Sequence, residues 1–131
     1  MWIESTVNSL KNRQYQNVDW DSLIEEIESM GKSDKRALLS FLTRLIEHLL
    51  KLKYWEIEKE RNRSGWIIEV INLRSEIEAI LDDSPSLRNY LSTIYPKAHA
   101  KAIKTMSQAF YLPNNATVSL ENALDENYLP E

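Results

Sequence analysis

Only two of the 131 residues are glycine, Gly31 and Gly65. Hairpins, tight turns and phosphate-cradling loops draw on glycine because they need positive φ, which side chains with a Cβ resist. A chain this poor in glycine has few such turns, which favours helices. It also has no Gly-rich phosphate loop and no dinucleotide fingerprint.

The apolar spacing agrees, recurring at steps of three and four. Trp2, Ile3, Thr6, Val7 and Leu10 predict a helix over about 2–11, followed by a polar loop over 12–17. Asp19 suits the N-cap of a second helix, its carboxylate accepting orphan amides of the first turn. Trp20, Leu23, Ile24, Ile27 and Met30 make one apolar stripe on that helix, and Gly31 ends it as a left-handed residue. A third helix runs from Ser33 to about Ile57, apolar over much of its circumference and therefore central. The charged run 58–63 reads as a loop. A fourth helix covers about 65–82. Ser84 and Pro85 open a fifth, proline being harmless at the first helical position. Pro96 should kink that helix near Tyr95. Ser119 can cap a last short helix over 120–125. The expected fold is all-α, a single-domain bundle of about five helices with a kinked last long helix, spanning 1–131.

Four stretches carry a resemblance. They are the acidic run from Asp19 through Glu25, Glu26 and Glu28 to Ser33, then His48-Leu49-Leu50-Lys51, then Arg63-Ser64-Gly65-Trp66, then Asp83-Ser84-Pro85-Ser86-Leu87-Arg88. In order and spacing the chain resembles the prokaryotic family called domain of unknown function 29, over nearly its whole length. The resemblance implies a bacterial, helical protein with no assigned activity and no catalytic residues to carry over. The chain departs from the family's usual pattern at Pro96 and near 116–118, where a cysteine-proline-tryptophan stretch is common.

With no cysteine, the chain has no disulfides, thiolate nucleophiles or cysteine metal sites. No run approaches the roughly 20 apolar residues of a membrane helix. The first residues lack the basic start and apolar core of a signal peptide, so a cytoplasmic location is expected. Net charge is −4 but uneven. Residues 1–31 hold two basic and six acidic side chains, residues 32–63 nine and five, and residues 64–131 five and nine. A basic middle between acidic ends hints at self-association, and a homodimer is expected.

Four constellations could carry chemistry. At about 100° per residue Arg74 falls inside the apolar surface of the fourth helix, so it needs a partner. Glu25, Glu26 and Glu28 offer carboxylates, with Glu28 or Glu25 favoured, and His48 could join them. The structural reading is a buried ion pair fixing helix packing; the functional reading is a pocket for an acidic ligand or an acid/base pair. A carboxylate metal site would need Glu-x-x-His pairs. Leu45 and Pro96 stand where those glutamates would be, so no metal and no cofactor is expected. Tyr54 and Trp55 among lysines could suggest nucleic acid, but interleaved Glu47, Glu56, Glu58 and Glu60 oppose it. Trp2, Trp20, Trp55 and Trp66 read as packing anchors, with Trp2, Trp55 and Trp66 the candidate interface residues.

The function expected from these residues is protein–protein interaction or regulation rather than catalysis. A ligand-binding or acid/base bundle using the Glu/His/Arg cluster is the alternative, and a nucleic-acid-associated, antitoxin-like regulator the third.

Overall fold

The computed structural model describes residues 1–130. It is 82% helical, with no strand among the described residues. Its helices are α1 (Trp2–Lys11), α2 (Trp20–Tyr54), α3 (Glu56–Asp83), α4 (Arg88–Ala109) and α5 (Leu120–Leu124). By contact the chain forms two compact units, residues 1–34 and the residues from 35 on, and α2 runs from the first into the second.

The first unit holds α1, a 3-10 turn (Tyr15–Asn17) and the opening turns of α2. A Schellman turn closes α1. The Gln14 amide donates to the Ser9 carbonyl at 2.8 Å and the Arg13 amide to the Leu10 carbonyl at 3.1 Å. The left-handed position of that turn, where glycine is usual, is held by Arg13 at φ 58°. Asp19 caps α2 as the sequence implies. Its carboxylate accepts from the Ser22 amide at 3.2 Å and the Ser22 hydroxyl at 2.8 Å. Thr6 and Val18 are the buried residues of this unit.

The expected stop at Gly31 does not occur. α2 continues through it to Tyr54, and Gly31 keeps negative φ. The flanking residues are mostly good helix formers, and one helical glycine costs only about 1 kcal/mol, which the neighbouring turns tolerate. The charged run 58–63 is also helical, the opening of α3. Glutamate, lysine and arginine favour helix as well as water, and Asn62 donates to the Glu58 carbonyl at 3.0 Å and carboxylate at 3.1 Å. The break between α2 and α3 is Trp55 alone. Its ring stacks on Trp66 at 5.9 Å and on Phe110 at 4.7 Å.

The second unit carries the core. α2 contributes a wide face including Leu38, Leu42, Leu45, Ile46 and Leu49, all fully buried. α3 adds Val70, Leu73, Ile77 and Leu81; α4 adds Leu91, Ile94, Ala98, Ala102 and Met106. The two alanines are fully buried. α4 runs through Pro96 as one helix. Ser119 caps α5, its hydroxyl accepting from the Asn122 amide at 3.1 Å.

Candidate functional site

Arg74 is buried on α3 as its angular position demands, with 7% of its surface exposed. Its partners are not the expected carboxylates. Nε donates to the Ala123 carbonyl at 2.8 Å, and Nη2 donates to the carbonyls of Asn122 at 3.1 Å and Tyr128 at 2.9 Å. Two of these acceptors are orphan carbonyls at the C-terminus of α5, where the helix dipole presents negative charge. Burial pulls the arginine's pKa down, while Asp125, Tyr128 and Glu126 pull it back up. The guanidinium therefore caps α5 and clasps the segment that follows. Glu25, Glu26 and Glu28 are exposed side chains of the first unit.

His48 has different surroundings. It is half-buried on α2, and Nδ1 is buried with no hydrogen-bond partner among the described residues. Burial pushes its pKa down to about 4, with Lys51 and Arg44 acting in the same direction and Glu69 opposing them. It is neutral near pH 7. Arg74 and His48 thus answer to different charges. A cavity of about 890 Å³ does open beside Arg74, but Ser75, Glu78, Leu81 and Arg88 line it rather than Glu26 or His48. Arg88 pairs with Glu78 across 3.1 Å in that lining.

The tryptophans divide by unit. Trp55 and Trp66 are half-buried and stacked with each other. Trp2 and Trp20 are exposed. Trp20 belongs to an apolar stripe of α2 that the first unit leaves open, together with Ile24 (51% exposed), Ile27 (59%) and Met30 (64%). Ile3 and Val7 of α1 are exposed as well. Asp21, Glu25 and Glu28, spaced by four and three, run along one flank of the α2 stripe.

On the second unit, α2 and α4 line a groove of about 350 Å³ that includes Arg36, Arg44, Thr43, Lys101 and Thr105. Leu39 adds apolar surface, and Glu47 lies there with its carboxyl raised by burial against the pull of Lys51, Arg44 and Lys101. Arg44 also stands 3.9 Å from Glu69. The basic stretch 32–63 signalled the α2 half of this groove; Lys101, distant in sequence, carried no signal.

A family profile described as "Domain of unknown function DUF29" matches residues 1–129. The chain belongs to the DUF29 family. No curated protein and no solved structure matches it. The family description names no activity, so roles for DUF29 side chains have to come from geometry. Among the described residues no helix is long and apolar enough to cross a membrane, and no three His, Asp or Glu side chains gather where a metal could sit.

A further DUF29 feature had no sequence signal. His99 Nε2 accepts from the Val118 amide at 3.2 Å, so that nitrogen carries no proton. The Thr117 hydroxyl lies 3.2 Å from the same atom. The Thr117 amide reaches the Tyr54 hydroxyl at 3.4 Å, and Lys53 Nζ reaches the Thr117 carbonyl at 3.4 Å. His99, Tyr54 and Lys53 thereby tie down the approach to α5, and burial lowers the His99 pKa.

Proposed function

We propose that this DUF29 chain acts through protein–protein contact, as an adaptor or regulatory subunit, with its first 34 residues as the contact element. The carrying observation is the open apolar face there. Trp20, Ile24, Ile27 and Met30 follow the spacing of a buried helix stripe yet are about half exposed or more. A contiguous apolar face bordered by charge is what an interaction surface presents before its partner arrives. The cavity beside Arg74 does not favour ligand binding or catalysis, because the arginine's bonded nitrogens serve main-chain carbonyls.

The test is a photo-crosslinking side chain placed at Ile27 in living cells, with the exposed Gln108 of α4 as control site. Discrete adducts at Ile27 and none at Gln108, each identified by mass spectrometry, are expected. No adduct at Ile27, or the same adducts at both sites, would overturn the reading.

A further inference from the structure

Resting on that reading, we infer that the partner is a second copy of this chain, and that the acidic arm of each copy lies in the basic α2/α4 groove of the other. Two observations converge on this occupant.

The charges match within one sequence. Residues 1–31 carry net −4 and residues 32–63 net +4. In the groove itself Arg36, Arg44 and Lys101 outnumber Glu47, so two copies exchanging arms about a twofold axis each set an acidic flank against a net positive lining. The alternative, arm against arm, brings two net charges of −4 together and is opposed by like-charge repulsion.

The spacings also match. Asp21, Glu25 and Glu28 span ~10 Å along α2, from the helical rise of ~1.5 Å per residue. Arg36 and Arg44, two turns apart on α2, span ~12 Å by the same rise, and Lys101 adds a third cation from α4.

The experiment is sedimentation of the purified full chain with two charge-reversal variants, E25K/E28K in the arm and R36E/R44E in the groove. All four positions are exposed, and circular dichroism checks that each variant folds. The wild-type chain is expected to dimerise at tens of micromolar and to lose about tenfold or more in affinity between low and high salt. Each variant alone is expected to be monomeric. An equimolar mixture should restore a dimer, since the reversed arm meets the reversed groove and the two native partners meet each other. The milder E25Q/E28Q should weaken the wild-type dimer without abolishing it. A wild-type monomer throughout, a groove variant that dimerises normally, or an arm variant that dimerises more tightly would each overturn the inference. If the chain is monomeric while Ile27 still crosslinks to one other protein in cells, the interaction reading stands and the second copy is excluded.

Discussion

The two units of this chain carry the same kind of amphipathic helix and treat it in opposite ways. In the second unit the apolar positions of α2, from Leu38 to Leu52, are almost all sealed. In the first unit the same helix repeats the pattern from Trp20 to Met30 and leaves it facing outward. Spacing says which face of a helix is apolar. It does not say whether the surface that covers that face lies in the same chain. The difference also separates roles: one stretch of α2 holds the fold together, and the other is left exposed.

The largest expected effect would break this contrast if it failed. Leu45→Ala or Leu49→Ala empties a fully buried site and should cost about 2–5 kcal/mol in urea unfolding. Ile27→Ala should change the stability of the dilute chain by no more than about 0.5 kcal/mol. Equal losses at the two places would mean that the arm is covered within the chain.

Arg74 sharpens the contrast from the polar side. Arg74→Met leaves three carbonyls of the α5 segment without their donor and should cost about 3 kcal/mol. Hydrogen exchange should quicken over residues 120–128. Glu28→Gln, on the exposed arm, should leave stability within about 0.5 kcal/mol of wild type. A matching loss from Glu28→Gln would restore the ion pair that the sequence suggested.

The histidine-linked effect of acid belongs to the second unit, where both histidines lie. The His48 pKa is about 4 in the folded chain against an ordinary 6.5, and that of His99 is also lowered. The unfolded chain therefore binds more protons below pH 6.5, and stability falls as pH drops from there towards 4. For half-buried His48 the loss should reach about 1–2 kcal/mol once solvent screening is allowed for. Urea midpoints across this range check it, and His48→Leu should flatten the slope.

The smallest effects belong to the arm's backbone. A methyl group added at Gly31 meets nothing within 4 Å, so Gly31→Ala should stabilise the helix by about 0.5–1 kcal/mol. Arg13→Gly should relieve the left-handed strain after α1 by a similar amount, about 0.5–1 kcal/mol. Helix content and tryptophan fluorescence followed together through unfolding will show whether the gain reaches both units or the first alone.

These residues also mark how far the sequence could be read. Caps were legible because they are local: Asp19 and Ser119 each act on an amide three residues away. The burial of Arg74 was legible from its angle on one helix. Its acceptors were not, because main-chain carbonyls have no residue signature and these lie 48 to 54 positions downstream. Gly31 and the 58–63 run misled for a shared reason. Each is a composition signal for a helix end, and each is overruled by helix-forming neighbours on both sides. The groove needed Lys101 beside Arg36 and Arg44, a juxtaposition only packing creates.

The Arg74 clasp has a consequence in time. The cation sits on the apolar face of α3, while its acceptors are synthesised about fifty residues later. Until Asn122 and Ala123 emerge from the ribosome, α3 carries a charge it cannot seal, and the second unit cannot settle into its final packing. A polypeptide cut short before α5 keeps that defect permanently. Such a fragment is expected to be cut faster by proteases than a chain that carries α5.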